Sequence, residues 1–131
     1  MDIKTLRQSV QDLNILYVED EEAVQKGTLN LLNKFFKTVY VANNGEEGVK
    51  VFEQNEHIDV VISDIKMPKL DGFKMAQQIK QQKKNLYLVF LTGTLEEYRN
   101  EVDIANEVII KPLSYEELIN VLHKIHQFFS K

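Results

Sequence analysis

The chain has 131 residues, of which 44% are hydrophobic and 27% charged, a composition typical of one soluble globular domain. It contains no cysteine, which excludes disulfides, thiolate zinc sites and thiol nucleophiles. The formal net charge of −4 argues against direct nucleic acid binding, and no apolar run is long enough to span a membrane. We therefore expect a cytoplasmic protein with neither a nucleic acid nor a membrane partner.

Short apolar segments alternate with longer amphipathic ones along the chain. The first 13 residues carry apolar side chains at helical spacing, which predicts an N-terminal extension with a short helix ahead of a domain at 14–131. Five short segments rich in Val, Ile, Leu and Tyr then have the pattern of strands buried on both faces. The predicted strands are Asn14–Val18, Thr38–Ala42, Ile58–Ser63, Leu86–Leu91 and Glu107–Ile110.

Each predicted strand is followed by a segment with helical spacing. The fourth of these, from Leu95 to about Ala105, has the weakest pattern. The last has the clearest one, ending at Phe129, and Ser114 with Glu117 forms a predicted capping box at its start. Five strands alternating with five helices predict a doubly wound α/β fold, a parallel sheet with helices on both faces.

Acidic side chains follow two of the predicted strands. Glu19 and Asp20 come directly after the first strand, and Asp64 follows the third. Ligands of such sheets bind at the carboxyl ends of the strands, so these three carboxylates should converge and repel one another. A hard dication with oxygen ligands removes the repulsion, and Mg²⁺ is the natural candidate because it needs few protein ligands.

A hydroxyl and a cation complete this edge of the predicted sheet. Thr92 follows the fourth strand, and Lys111 follows the fifth. Three carboxylates supply a charge of −3, which Mg²⁺ and Lys111 together balance. This neutral set is consistent with a site that accepts a phosphoryl group on one carboxylate, with the metal and the lysine neutralising the phosphoryl oxygens.

These residues lie in a series of family-like segments that runs from about Asn14 to Phe129. The segments are ILYVEDEE, VANNGEEGV, VVISDIKMPKLDGF, LVFLTGT and VIIKP. In this order they resemble the receiver domain of two-component response regulators, the CheY-like family. The resemblance implies a flavodoxin-like fold, with a five-stranded parallel sheet in the order 2-1-3-4-5 and helices on both faces.

The resemblance also implies a role for each site residue. Asp64 is the implied phosphoacceptor, and Asp20 and Asp64 are the implied direct ligands of Mg²⁺. Glu19 would act through water, and the Lys66 backbone carbonyl would complete the metal site. Thr92 and Lys111 would each contact a phosphoryl oxygen. The Lys111–Pro112 peptide bond is cis in typical members of this family.

A signalling role follows from the resemblance, and catalysis is limited to the domain's own phosphotransfer and autodephosphorylation. The phosphoryl donor would be a histidine kinase or a phosphotransfer protein. The output would be a separate protein target or an effector domain beyond residue 131, and phosphorylation could produce a homodimer. The sequence names neither the kinase nor the target.

One position departs from the family pattern, and it keeps a second interpretation open. Receivers usually carry Tyr or Phe three residues before the lysine, where this chain has Val108. Valine is too short to act as a moving ring, so coupling should run through the backbone of residues 92–98. The alternative is a receiver-like docking module that acts without phosphorylation. A nucleotide binder of the same architecture is disfavoured, because acidic residues occupy the place of its phosphate loop.

Overall fold

The computed structural model describes residues 1–55, 57–93 and 102–130. Its β-strands form one parallel sheet in the order β2-β1-β3-β4-β5. The strands are β1 Asn14–Val18, β2 Thr38–Ala42, β3 Val60–Asp64, β4 Tyr87–Thr92 and β5 Glu107–Ile110. The helices are α1 Ile3–Val10, α2 Glu22–Leu32, α3 Gly45–Gln54, α4 Gly72–Gln82 and α5 Tyr115–Phe129, with a 3₁₀ turn at Val102–Ile104. The doubly wound fold and its strand order are confirmed.

Two predicted strands are displaced toward their carboxyl ends. The sequence pattern placed them at 58–63 and 86–91, whereas β3 ends at Asp64 and β4 at Thr92. Ile58 lies before β3, and its N–H donates to the Asn55 carbonyl. The backbones of Asp64 and Thr92 instead pair with Leu91 and Ile110, which extends both ladders by one residue. The fourth predicted helix lies largely outside the described residues.

Two apolar cores cover the two faces of the sheet, because successive side chains of a strand point to opposite faces. Ile15 and Tyr17 of β1 belong to the core that contains α1, α2 and α5. Leu16 and Val18 belong to the other core, against α3 and α4. Each core includes side chains from all five strands, so the two cores together fix the strand ends relative to one another.

Helix α1 is part of the first core. Its Leu6 and Val10 are fully buried, and the helix packs against α5. The Asp2 side chain caps the helix by accepting a hydrogen bond from the Thr5 N–H. The helix then joins the body of the domain through the Lys37 N–H, which donates to the Gln11 carbonyl. A division between residues 1–13 and 14–131 remains a prediction.

Side chains cap the starts of the three helices that follow β2, β3 and β5. Ser114 and Glu117 form the predicted capping box at the start of α5. Asn44 caps α3 by accepting from the Glu47 N–H, and Asp71 caps α4 by accepting from the Lys74 N–H. These caps fix the loops that follow β5, β2 and β3, because each satisfies a backbone donor that the helix start leaves unpaired.

Candidate functional site at the carboxyl ends of the strands

The sheet register brings the predicted site residues to one edge. Val18 of β1 lies beside Ser63 of β3, so the residues that follow them, Glu19 and Asp64, emerge at the same level. Asp64 in turn pairs with Leu91, one residue before Thr92. Thr92 pairs with Ile110, one residue before Lys111. The parallel ladders therefore gather four site residues that the chain separates widely.

Three carboxylates form a cluster at this edge. Glu19, Asp20 and Asp64 each place a carboxylate oxygen within 4.8 Å of the others. Glu19 and Asp64 are buried, whereas Asp20 is exposed. All of these potential ligands are oxygens and one side of the cluster is open, so the cluster is able to hold a metal ion.

Lys111 lies between two of these carboxylates. Its Nζ donates to Asp64 Oδ2 at 2.8 Å and is 3.1 Å from Glu19 Oε1. Burial acts to lower the pKa of Lys111, but the hydrogen bonds and negative charges of Asp64 and Glu19 outweigh it, so that pKa is raised. The lysine therefore stays cationic and offsets part of the negative charge of the cluster.

Glu19 is the most buried carboxylate of the site. Burial raises the pKa of Glu19. The Glu21 N–H, which donates to Glu19 Oε2 at 3.1 Å, and the Lys111 ammonium lower that pKa, but the net shift is upward. Glu19 Oε1 is buried and makes no hydrogen bond of good geometry in the described part of the chain, although Lys111 is close to it. A buried carboxylate oxygen in this state fits the presence of a further cation or a cation-bound water.

A buried tyrosine, Tyr17, lies two residues before Glu19 in the chain. The Tyr17 hydroxyl is buried, and burial raises the pKa of Tyr17 to about 12. The Glu19 charge adds to that increase. Tyr17 therefore stays neutral at physiological pH and adds no negative charge near Glu19.

Gln25 supports the cluster, and sequence reasoning missed it. Its side-chain amide donates to the Glu19 carbonyl and to Asn43 Oδ1, both at 2.9 Å. It thereby connects the end of β1 to the loop after β2. Only its place in the second turn of the predicted helix could have indicated it, and an amide at such a position is common.

The loop between β3 and α4 orients the Asp64 carboxylate through hydrogen bonds of its backbone. The Ile65 N–H donates to Asp64 Oδ1 at 2.8 Å, and the Gly72 N–H donates to the Ile65 carbonyl at 2.7 Å. A Cβ atom at position 72 would collide with the Asp64 carbonyl oxygen, so only glycine permits this approach. Lys66, the predicted carbonyl ligand, lies in the same loop with its side chain exposed.

The other two site residues lie at the carboxyl ends of β4 and β5: Thr92 is the last residue of β4, and Lys111 directly follows β5. Thr92 is buried, and its carbonyl accepts a hydrogen bond from the Lys111 N–H at 2.8 Å. The Lys111–Pro112 peptide bond is cis, as the family resemblance predicted. Val108 is half-buried and packs against the core that contains α3 and α4. The predicted switching loop, residues 92–98, lies outside the described residues beyond position 93.

Comparison with known proteins decides the family. Residues 15–123 match the response regulator receiver domain. The chain belongs to this family. The receiver domain is a signalling domain of two-component systems, and the five matching segments recognised in the sequence all lie within or at the edge of the matched range.

Sequence relatives carry this receiver domain within longer proteins. The chain is 33% identical over 116 residues to the autoinducer 1 sensor kinase/phosphatase LuxN of Vibrio campbellii, covering 88% of the chain and 13% of LuxN. It is 30% identical over 131 residues to the probable C4-dicarboxylate response regulator DctR of Bacillus subtilis, covering 92% of the chain and 55% of DctR. The chain thus spans about half or less of the length of these relatives.

Solved receiver structures match the fold closely. A response regulator receiver domain protein from Clostridium thermocellum has 28% sequence identity and a TM-score of 0.81, covering 91% of this chain and 98% of that one. The response regulator protein TrrA from Thermotoga maritima, solved in complex with Mg²⁺ and BeF, has 30% identity and a TM-score of 0.75, covering 87% and 99%. In the described ranges of this receiver domain, no helix combines the length and apolar character that a bilayer crossing requires.

Proposed function

We propose that this receiver domain accepts a phosphoryl group on Asp64 in a Mg²⁺-dependent reaction. The observation that carries the proposal is the buried Asp64 carboxylate, held by the Ile65 N–H and Lys111 within a cluster of three acids. An anionic nucleophile beside a fixed cation suits phosphoryl transfer, because charge on the phosphoryl oxygens must be neutralised.

The donor set supports Mg²⁺ at the carboxylate cluster. We assign Asp20 and Asp64 as direct ligands, Glu19 as a ligand through water, and the Lys66 carbonyl as a further ligand. Mg²⁺ keeps several waters and binds through one or two carboxylates. This agrees with two direct carboxylate ligands, the exposed Asp20 and the buried Asp64. TrrA from Thermotoga maritima was solved in complex with Mg²⁺ and BeF, which supports Mg²⁺ as the choice of metal. When bound, Mg²⁺ would supply positive charge for the phosphoryl oxygens.

The reaction that Asp64 would carry out is a displacement at phosphorus. One oxygen of its carboxylate attacks the phosphorus of a phosphohistidine, forming a P–O bond. The P–N bond breaks, and its electron pair returns to the imidazole of the donor. Lys111 then transfers its hydrogen bond from Asp64 to a phosphoryl oxygen, and the Thr92 hydroxyl binds another.

Reversal of the signal would use the same groups. A water molecule attacks the phosphorus of the acyl phosphate and forms a new P–O bond while its proton passes to solvent. The P–O bond to Asp64 breaks, its electron pair returns to the carboxylate, and inorganic phosphate leaves. The phosphoryl donor in this scheme is a histidine kinase or a phosphotransfer protein. The output is a protein target or an effector domain, as the greater length of relatives such as DctR suggests.

Phosphorylation by a small donor tests the proposal directly. Incubation with acetyl phosphate and Mg²⁺ should increase the intact mass by one phosphoryl group, and omission of Mg²⁺ should prevent this. Asp64→Asn should remain unlabelled, because an amide is not a nucleophile of this kind. Asp12→Asn is the matched control: Asp12 is exposed and pairs with Lys37, away from the carboxylate cluster. Labelling of Asp64→Asn equal to wild type would contradict the assignment.

The docking-module alternative predicts a different result. A module that acts without phosphorylation would take no label from acetyl phosphate or from any phosphohistidine donor. Val108 is its only support, and Val108 contacts the core rather than the carboxylates. We therefore expect Val108→Ala to be labelled like wild type, since the chemistry does not need a ring at that position.

A further inference from the structure

A groove runs between α1 and the turn that follows α2. Two adjoining clefts of about 520 and 540 Å³ share its lining residues, Lys4, Arg7, Asn33, Lys34 and Phe35. Ile3 and Tyr115 lie at one end. We call these seven residues the α1 groove. None of them belongs to the carboxylate cluster. One wall of the groove is formed by α1, which precedes the matched family range of 15–123.

The α1 groove is positively charged within an acidic chain. Lys4, Arg7 and Lys34 are exposed, and none of them forms an ion pair within the described ranges. Lys37, which lines only the first of the two clefts, is paired with Asp12 at 3.1 Å. Three uncompensated cations at one concave surface therefore stand out against a net charge of −4.

The same surface exposes apolar side chains. In the described part of the chain, the exposed large hydrophobic residues are Met1 at 61%, Ile110 at 50%, Ile3 at 48% and Tyr115 at 43%. Two of these line the groove, and Met1 lies two residues from Ile3. The Tyr115 ring packs on buried Phe35, with 5.9 Å between ring centroids, so it is held in place while partly open to solvent. Aromatic side chains held in this way are common anchors of protein interfaces.

We propose that the α1 groove binds an acidic peptide segment of a partner protein, with a bulky apolar side chain placed against Ile3 and Tyr115. The acids of the segment would pair with Lys4, Arg7 and Lys34. Charge complementarity of this kind selects the partner and speeds association. The mixed cationic and apolar lining matches an acidic, amphipathic segment rather than a purely charged one.

Two other anionic partners fit this surface less well. A membrane would require an apolar helix face free to insert, but the apolar residues Leu6 and Val10 of α1 are fully buried in the core. Nucleic acid binding depends on many phosphate contacts, whereas only three unpaired cations line the groove and the whole chain is acidic.

A synthetic peptide provides the probe. It is short, labelled with fluorescein, and carries a Leu-Phe pair flanked by glutamates and aspartates. Binding is measured by fluorescence anisotropy, and its position by amide NMR shifts of the isotope-labelled domain. We expect the largest shifts at the α1 groove. The triple variant Lys4→Glu, Arg7→Glu, Lys34→Glu should weaken binding by about tenfold or more.

Three controls make the test specific. Lys69→Glu, Lys74→Glu, Lys84→Glu changes the net charge equally at exposed positions outside the groove and should have a much smaller effect. Tyr115→Ala, and a peptide with serines in place of Leu-Phe, should each weaken binding without changing the charge of the protein. Thermal unfolding followed by circular dichroism confirms that each variant is folded.

Several results would overturn the proposal. Equal losses in the two charge-reversed variants would mean that the peptide responds to net charge alone. Shifts centred away from the groove would place the binding elsewhere. Tighter groove-dependent binding to a DNA duplex or to phosphatidylserine vesicles than to the peptide would assign another class of partner. Self-association that the groove variant abolishes would make a second copy of the chain the occupant.

Discussion

The Lys111 ammonium lies 2.8 Å from Asp64 Oδ2, although 47 positions separate the two residues in the chain. The same nitrogen is 3.1 Å from Glu19 Oε1. Lys111 is thus the cation nearest to two buried carboxylates, and its position depends on the register of β3, β4 and β5. This relationship couples the stability of the domain to the chemistry that we propose for Asp64.

Removal of the Lys111 charge should destabilise the domain. Lys111→Met keeps most of the side-chain stem but leaves Glu19 and Asp64 without their cation. Because Lys111 is partly exposed, we expect the free energy of unfolding to fall by about 1–3 kcal/mol, below the cost of breaking a fully buried pair. Urea denaturation without divalent cations measures it. Lys124→Met removes the exposed Glu107 pair, 2.7 Å long, and should cost less than about 1 kcal/mol. Equal effects would contradict this account.

The pH dependence of stability should reveal buried Glu19. Burial raises its folded-state pKa above the ordinary value of 4.5, so the folded state binds this proton more tightly than the unfolded state. The Glu19 contribution to stability is therefore fully present below pH 4.5 and is lost as pH rises through the raised pKa. In metal-free buffer, Glu19→Gln should be more stable than wild type at neutral pH. A difference in stability that does not change with pH would contradict the prediction.

Metal titration should separate the roles of the acids. We expect Asp20→Ala to weaken Mg²⁺ binding by more than about a hundredfold and Glu19→Ala by about tenfold, since Glu19 is assigned a water-mediated role. Calorimetric titration of both variants and wild type gives the affinities. Each loss should also appear as a smaller increase in melting temperature on addition of Mg²⁺. Unchanged affinity in Asp20→Ala would place the metal elsewhere.

Two glycine-to-alanine changes should have opposite effects. Gly72→Ala forces a Cβ atom against the Asp64 carbonyl, so we expect a loss of about 1–3 kcal/mol in unfolding free energy and slower labelling by acetyl phosphate. A Cβ atom at Gly27, in α2, would contact nothing within 4 Å. Gly27→Ala should therefore stabilise the domain by about 0.5–1 kcal/mol. Urea denaturation measures the free energy of unfolding of both variants. A Gly72→Ala variant with wild-type stability and normal labelling would contradict the predicted collision.

Helix α1 should behave as part of the domain core. Leu6 is fully buried against the core shared with α5, so Leu6→Ala should lower the free energy of unfolding by about 2–4 kcal/mol. Ile3, which is exposed on the same helix, provides the control. Ile3→Ala should change the free energy of unfolding by less than about 0.5 kcal/mol. A neutral Leu6→Ala would support a detachable extension before residue 14.

The sequence alone determined the fold class and the identity of the candidate site residues. Short apolar segments alternating with amphipathic ones are local patterns. They identify a parallel α/β sheet because strands buried on both faces are continuously apolar, whereas the helices that cover them have one apolar face. Parallel strands bring their carboxyl ends to one edge, so Glu19, Asp64 and Lys111 could be assigned to one site before any contact was known. The capping box at Ser114 is equally local, since both of its partners lie within one helical turn.

Only the tertiary structure decided how those residues meet. The true ends of β3 and β4 depend on the pairing of Asp64 with Leu91 and of Thr92 with Ile110, which no single segment encodes. The link from Gln25 to Glu19 and Asn43 and the groove beside α1 also join segments that are distant in the chain. Burial of Glu19 and its closeness to Lys111 arise in the same way. These features were hidden in the sequence because contact, burial and charge balance depend on neighbours that only the folded chain brings together.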